Sequence, residues 1–163
     1  MIRALAKLTV TLVLALTVIG IVFVAGMRAN SPPVMNTVRR LSRATKPIVL
    51  RSAGQAGVST SVVRHVGRSS GREYETPVSA LATEDGFVIA LPYGPNTDWL
   101  KNVLASGSAT IVDQGTTHRV ERPEVVPTAE AEPDLPADTL RGLRLFRVEE
   151  CLRVRHAPQV APA

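Results

Sequence analysis

Residues 8–26, LTVTLVLALTVIGIVFVAG, form an apolar stretch of 19 residues without a charged side chain. A helix rises about 1.5 Å per residue, so this stretch covers about 28 Å, close to the thickness of a bilayer's hydrocarbon core. A cleaved signal peptide is the alternative, because Arg3 and Lys7 form a basic start and residues 23–25 resemble a cleavage site. Signal peptides have shorter apolar regions, about 7 to 15 residues. The length therefore favours an uncleaved transmembrane anchor within residues 1–30.

Charge is distributed unevenly along the chain. Residues 1–72 contain 11 Lys or Arg and no acid, whereas residues 73–163 contain 8 Lys or Arg and all 14 acids, so the two parts carry +11 and −6. The basic residues after residue 26 outnumber Arg3 and Lys7 before it. The positive-inside rule then predicts a single-pass protein of the cell inner membrane with its C-terminal part facing the cytoplasm. Arg3 and Lys7 by themselves favour the opposite orientation.

Residues 31–60 are predicted to form a basic amphipathic helix and a linker. Ser31 can cap a helix, Pro32 and Pro33 suit its first turn, and apolar residues recur at helical spacing between arginines. Basic residues beside a membrane attract anionic lipid head groups. We expect this helix to lie either on the membrane or on the following domain.

From residue 61 onward the pattern is typical of short β-strands separated by turns. Six runs are β-branched or alternate between apolar and polar residues, namely 61–66, 76–83, 86–93, 108–113, 117–126 and 143–155. Turn signals lie at residues 84–86 and 113–115. The segment NTDWLKNVLASG, with Asn96 or Thr97 as N-cap and Gly107 as stop, predicts one helix. Residues 127–138, rich in proline and acids, are predicted to be an exposed loop. Residues 61–156 are thus expected to form a small β-barrel, followed by a tail over 157–163.

The loop between the first two predicted strands is unusually basic and flexible. Residues 67–72, GRSSGR, can direct backbone N–H groups, hydroxyls and guanidinium groups at an oxyanion, for which phosphate is the natural ligand. A solvated hairpin with arginines for solubility is the alternative. The loop is neither a Walker P-loop nor a dinucleotide fingerprint, because the required spacing is absent.

Other chemistries are disfavoured by composition and spacing. Cys151 is the only cysteine, which excludes an intramolecular disulfide and a cysteine metal cluster. His65, His118 and His156 have no metal-ligand spacing, so we predict no metal site. Aromatic residues make up 4% of the chain and the basic charge lies beside the apolar span, which argues against a nucleic-acid partner.

Three segments together resemble the deazaflavin-dependent nitroreductase family of actinobacteria. They are HVGRSSGREYETPV (65–78), DGFVIALPYGPNTDWLKNVLASG (85–107) and LFRVEECLRVRHA (145–157). The family pairs a Gly-Arg-x-Ser/Thr-Gly loop with a Tyr-Gly and Trp-x-x-Asn segment, and the resemblance covers residues 46–156. It implies a mainly β, α+β split β-barrel that binds a flavin or deazaflavin, here with an N-terminal transmembrane helix. The cofactor implied is coenzyme F420, with FMN as the alternative.

The resemblance also implies which residues would contact the coenzyme. Those around its phosphate would be Gly67, Arg68, Ser69, Ser70, Gly71 and Arg72; those beside its ring system Thr76, Pro77 and Val78; and those on the ring's other side Tyr93, Gly94, Trp99 and Asn102. This chain departs from common members at Ser69, where many have Lys or Arg, and in the shorter segment PYGPNTDW before the tryptophan. Both departures bear on the phosphate contacts and the mouth of the pocket.

Two functions follow from this resemblance. One is a membrane-anchored oxidoreductase that transfers a hydride from reduced F420 to a lipophilic, electron-poor acceptor such as a quinone or nitro compound. The other is a non-catalytic module that binds or stores the coenzyme. Hydride transfer needs no protein nucleophile because the cofactor supplies the chemistry, so the sequence assigns no catalytic residue and does not separate the two. Homodimerisation also stays open.

Overall fold

The N-terminal part of the chain forms two helices. The computed structural model describes residues 2–29 and 31–158. Helix α1 is Ile2–Arg28 and helix α2 is Pro32–Val49. Within α1, Thr9–Arg28 is long and apolar enough to cross a membrane, with a mean hydropathy of 2.6, and its side chains lie almost entirely outside the described core. A signal sequence meets the same criteria of length and composition.

The two helices meet at a close turn and contact the rest of the chain there. A side chain at Gly26 would overlap Val34, so this glycine lets the two backbones approach. The Arg28 guanidinium Nη1 donates a hydrogen bond of 2.9 Å to the Leu145 carbonyl, and Phe23 packs edge-to-face on Phe146 with 6.4 Å between ring centroids. The base of α1 is therefore attached to the C-terminal part of the chain.

The rest of the chain builds one antiparallel sheet of seven strands with short helices around it. The sheet order is β2-β1-β5-β6-β7-β4-β3. The strands are β1 Ser61–Val66, β2 Glu73–Val78, β3 Ala80–Ala82, β4 Gly86–Ala90, β5 Ser108–Asp113, β6 Thr116–Pro127 and β7 Glu150–His156.

The connection between the two edge strands shows that this sheet is curled. Strands β2 and β3 lie at opposite edges of the order, yet only Ser79 separates them in sequence. In a flat sheet with strands about 4.8 Å apart, the edges would be about 29 Å apart, whereas residues 78 and 80 can be at most about 7 Å apart. The sheet must therefore bend until its edges meet. This confirms the predicted split β-barrel of the α+β class.

The interior of the barrel is apolar. Strand and helix residues fill it, among them Phe87, Ile89, Leu100, Ile111 and Leu152, all at most 1% exposed. Helix α3, Asp98–Ser106, supplies Leu100 and Val103 to this core. Its N-cap is Thr97, and Gly107 ends it in a left-handed conformation with φ of 71°. The predicted helix and its stop are confirmed, as are the turns at 84–86 and 113–115.

The predicted exposed loop over residues 127–138 is wrong. The chain forms helix α4, Thr128–Ala131, a 3-10 turn, Glu132–Asp134, and helix α5, Ala137–Leu145. Thr128, Ala131 and Leu135 are buried there, and the last two join a second small core against Val88 and Cys151. The prolines that suggested a loop stand at helix starts, where a missing N–H costs nothing.

Four of the six predicted strands have different bounds in the structure, one of them, 117–126, by a single residue at each end. The run 143–155 is strand only from Glu150, because its first residues complete α5. The run 76–83 is two strands separated by Ser79, and the first of them starts at Glu73. The run 86–93 ends at Ala90, which leaves Tyr93 in a loop. The predicted tail extends beyond residue 158 and so lies partly outside the described residues, and the domain boundaries at residues 30, 60 and 156 stay predictions.

Candidate functional site

The basic loop joins β1 to β2 at one end of the barrel. It is closed by two backbone hydrogen bonds of 2.8 Å, from the Gly67 N–H to the Arg72 carbonyl and from the Gly71 N–H to the Gly67 carbonyl. Gly71 has φ of 63°, which favours glycine. A side chain at Gly67 would overlap Ser70 and come within 2.7 Å of the Tyr74 ring. Both glycines are therefore required by the shape of the loop.

Several hydrogen-bond donors of this loop are free. Within the described chain, the backbone N–H groups of Ser69 and Ser70 donate no hydrogen bond, and the Arg72 guanidinium has neither a hydrogen bond nor an ion pair. All three residues are exposed. Two N–H groups, the Ser69 hydroxyl and one guanidinium are thus not engaged within the described chain, and groups of these kinds bind phosphate.

Arg68 has a different role, because its side chain is already engaged. Its guanidinium Nη1 donates to Asn102 Oδ1 at 2.8 Å, and its Nη2 pairs with Asp98 Oδ1 at 3.3 Å. Its backbone N–H also donates to Asn102 Oδ1, at 3.2 Å. Arg68 therefore ties the loop to α3, whereas Arg72 remains available to a ligand.

A series of hydrogen bonds from Asn102 through His65 to Thr76 supports this connection in the interior of the barrel. Asn102 Nδ2 donates to His65 Nδ1 at 3.2 Å, and His65 Nε2 lies 3.2 Å from Thr76 Oγ1. Asn102 must present Oδ1 to the donors of Arg68, so its Nδ2 faces His65, whose Nδ1 accepts. The imidazole proton then lies on Nε2, which donates a hydrogen bond to Thr76 Oγ1. That leaves the Thr76 hydroxyl proton available for a further acceptor.

His65 is held in its neutral form. It and Asn102 are each only 6% exposed. Burial lowers the pKa of His65 below its ordinary value, and the positive charge of Lys46 on α2 lowers it further. The ring of Tyr74 stacks on His65 with 5.8 Å between centroids. A neutral His65 is what the hydrogen bond accepted from Asn102 requires.

One buried polar atom beside the site has no partner. Among the described residues, Thr97 Oγ1 is buried and makes no hydrogen bond. It lies next in sequence to Asp98, the partner of Arg68, at the N-terminus of α3. Buried hydroxyls normally find a partner, and the usual one for an N-cap hydroxyl, a backbone N–H of the helix's first turn, is not used here.

Tyr93 and Gly94 lie in a second region, under α2. The Arg39 guanidinium Nη2 donates to the Tyr93 carbonyl at 3.2 Å, and Ser42 Oγ lies 3.1 Å from the Tyr93 hydroxyl. Both residues line a cavity of about 370 Å³ between α2, the loop after β4 and the loop before β7. No hydrogen bond within the described chain joins Tyr93 to the basic loop.

The structure thus groups only part of the predicted site. Loop 67–72, Thr76 and Asn102 form one hydrogen-bonded unit, whereas Trp99 packs against the barrel core and Pro77 and Val78 are half-buried on β2. His65 is a member that the sequence prediction missed. Ser61, Val63 and His65 alternate along β1 and all three are buried, so period two was the signal that could have placed His65 inside.

The fold and the loop define an α+β split barrel with a basic Gly- and Ser-rich loop at one end. No protein-family model matches the chain, and no curated relative does. Similar solved structures include an F420 reductase, at 10% identity and a TM-score of 0.44, covering 66% of this chain and 93% of that chain. HutZ, a heme storage protein from Vibrio cholerae, has 11% identity and a TM-score of 0.42 over 61% of this chain and 82% of its own. A domain-swapped dimer has 14% identity and a TM-score of 0.47 over 74% and 94%. Because these identities and TM-scores are low, the fold assignment is based on the strand order and the single-residue connection at Ser79.

Proposed function

We propose that this protein is a membrane-anchored oxidoreductase that holds coenzyme F420 in its split barrel and passes a hydride to a lipophilic, electron-poor acceptor. The observation that carries the proposal is the donor set of loop 67–72, in which Ser69, Ser70 and Arg72 keep donors free while Arg68 fastens the loop to α3. The motif resemblance to the deazaflavin-dependent nitroreductase family supplies the identity of the ligand.

The residues of the loop fit the anionic part of such a coenzyme. A phosphodiester offers oxygens only as acceptors, and the loop offers N–H, O–H and guanidinium donors. No acid occurs before Glu73 in the sequence, so the charge of this part of the chain has the right sign. When bound, the coenzyme would supply the hydride, and the protein would bind it, orient it and exclude water.

The buried chain below the loop would orient the ring system. Thr76 Oγ1 accepts a hydrogen bond from the His65 Nε2–H, so its own hydroxyl proton can be donated to a carbonyl or ring nitrogen of the ligand. Asn102 fixes His65 in this tautomer and fixes Arg68 at the same time. We assign to these residues a positioning role, with no proton transfer required of them.

Helix α1, as a membrane anchor, favours a lipophilic molecule as the hydride acceptor. If α1 crosses the bilayer, the barrel is attached beside the membrane through Arg28 and the Phe23–Phe146 contact. A quinone dissolved in the bilayer would then be at high local concentration, as would a lipophilic nitro compound. A coenzyme that soluble enzymes reduce requires the barrel on the cytoplasmic side.

Coenzyme binding is tested by fluorescence titration of the full chain in detergent, at low and moderate salt. We expect binding that weakens with salt and is preferred over FMN. Arg72→Ala should weaken it by about 1.5 to 3 kcal/mol, the range for hydrogen bonds to charged groups. Arg141→Ala on α5 is the matched control, because Arg141 is also exposed and its guanidinium has no partner in the described chain. Equal affinity of both variants and wild type would remove Arg72 from the site.

Turnover separates the enzyme from a binding module. The reduced coenzyme is mixed with the protein and a panel of quinones and nitroaromatic compounds while deazaflavin absorbance is followed. Oxidation that depends on the protein supports the proposal. Tight binding without turnover on any acceptor would instead assign the chain to coenzyme binding or storage.

Topology is tested with reporters fused after residue 163. A cytoplasmic fluorescent reporter should be bright and an export-dependent phosphatase silent, and N-terminal sequencing should find a chain that begins before residue 8. An active phosphatase, or a chain that begins near residue 26, would contradict the anchor in the proposed orientation.

A further inference from the structure

Helix α2 has one face on the barrel and one face that nothing in the described chain covers. Met35 is buried, and Arg39 and Ser42 reach Tyr93, so these residues mark the inner face. Leu41 and Ile48 are seven residues apart and hence on the same side of the helix. They are 62% and 65% exposed. Residues 10–22 of the apolar helix α1 include side chains that are exposed to the same degree, between 56% and 64%.

Basic residues lie to one side of this apolar pair around the helix: at 3.6 residues per turn, Arg40 is about 90° from the pair and Arg43 about 150°. Arg40 and Arg43 are exposed, and in the part of the chain that the structure describes their guanidinium groups make no hydrogen bond or ion pair. Ala44 lies between the arginines and Ile48, and Arg51 follows the helix. The outer face thus combines large apolar side chains with unpaired positive charge, which is the composition of a helix that lies at a membrane interface.

The position of α2 fits such a surface. It begins at Pro32, four residues after the last residue of α1, and the Gly26–Val34 contact holds the two helices together at that turn. If α1 spans the bilayer, α2 therefore starts where the chain leaves the hydrocarbon core. Because its inner face is on the barrel, a membrane on its outer face would leave α2 between the barrel and the bilayer.

We propose that the outer face of α2, formed by Arg40, Leu41, Ala44 and Ile48, docks on the anionic lipid head groups of the bilayer that α1 crosses. The inference rests on the anchor of the proposed function and adds to it. Leu41 and Ile48 enter the boundary between head groups and acyl chains, and Arg40 binds a lipid phosphate. Charge favours anionic lipid as the partner of this face. Residues 1–72, which include α2, contain no acid, so their positive charge is complementary to anionic head groups.

Docking is tested on the full chain in nanodiscs with single introduced cysteines. Cys151 is fully buried, so a thiol-reactive fluorophore labels an exposed introduced cysteine selectively. Leu41→Cys reports on the outer face, Val13→Cys on α1, and Glu84→Cys, in the exposed turn between β3 and β4, serves as the control. The discs contain either phosphatidylcholine alone or equal parts phosphatidylcholine and phosphatidylglycerol, and quenching by a head-group nitroxide lipid is measured.

We expect the label at Leu41→Cys to be quenched in the anionic discs, far more than the label at Glu84→Cys. Replacing Arg40 by Gln should lower the docked-to-undocked ratio by about fivefold, the factor that one arginine near an anionic surface contributes. Phosphatidylcholine discs should show the same loss.

The outcomes are separable from those of the coenzyme experiments. Equal quenching at Leu41→Cys and Glu84→Cys in anionic discs, with Val13→Cys quenched, would overturn docking and leave the anchor standing. An unquenched Val13→Cys would overturn both. Quenching at Leu41→Cys in a protein that fails to bind F420 would support docking and reject the proposed chemistry.

Discussion

Replacing Asn102 by Ala tests the hydrogen-bonded unit beneath the loop. The change removes the donor to His65 Nδ1 and the acceptor of two Arg68 bonds. The Arg68 side chain is 39% exposed, so its guanidinium can bind water instead and the loss of that bond costs little. His65 is only 6% exposed and keeps an unpaired acceptor, which costs about 1 to 3 kcal/mol. We expect the free energy of unfolding to fall by about 2 kcal/mol.

The assay is urea unfolding of the full chain in detergent, followed by the fluorescence of Trp99. It is the only tryptophan and packs against the barrel core, so its emission reports on α3. Lys101→Ala, the exposed neighbour, is the control and should leave stability unchanged. In a His65→Phe background the cost of Asn102→Ala should shrink by about 1 kcal/mol, because the acceptor is gone. A cost below about 0.5 kcal/mol in the wild-type background, within the range of ordinary surface substitutions, would refute the reasoning.

Three further predictions concern single residues. The pKa of His65 is lowered in the folded protein, so below the ordinary value of 6.5 the unfolded chain binds more protons than the folded one. Stability should therefore fall as the pH drops through 6.5. His65→Phe should abolish this part of the pH dependence, measured as urea midpoints. Gly67→Ala should weaken both stability and coenzyme affinity because its side chain would come within 2.7 Å of the Tyr74 ring, whereas Gly142→Ala, with open space in α5, should be neutral or stabilising in the same melts. Burial raises the pKa of the Cys151 thiol, so alkylation in the folded state should be slow at neutral pH and become fast in urea; fast alkylation of the native protein would contradict the structure.

The elements that the sequence predicts well are those with local signals at both ends. Helix α3 begins after Thr97, a residue type favoured at N-cap positions although its hydroxyl makes no capping bond here. It ends at Gly107, and the turn at residues 84–86 has Asp-Gly. The segment 127–138 misled because proline is both a loop residue and a helix starter. Its apolar residues Ala131 and Leu135 contact Val88 and Cys151, which are distant in sequence. No local pattern contains that contact.

The candidate site shows the same division. Residue types in loop 67–72 predict an anion ligand, and the structure shows that the loop is closed as a compact turn. The sequence does not distinguish the two arginines, because only the placement of α3 beside β1 decides that Arg68 is bonded and Arg72 free. In the sequence His65 is one of three dispersed histidines, and its role depends on partners 11 and 37 positions away. The spacing of residues in the sequence does not reveal side chains whose partners are far away along the chain.

Strand β7 lies in the middle of the sheet although it is the last strand along the described chain. It pairs with β6 on one side and with β4 on the other. During synthesis, the pair β3–β4 is joined to β2 through Ser79 but forms no strand pairing with β1, β2, β5 or β6, and it enters the sheet only when residues 150–156 have been made. Contacts of such long sequence separation form slowly and leave apolar strands exposed in the meantime. We expect the nascent chain to persist as an open, chaperone-dependent half-barrel, already tethered through α1 if that helix inserts during translation, and to close only when β7 arrives.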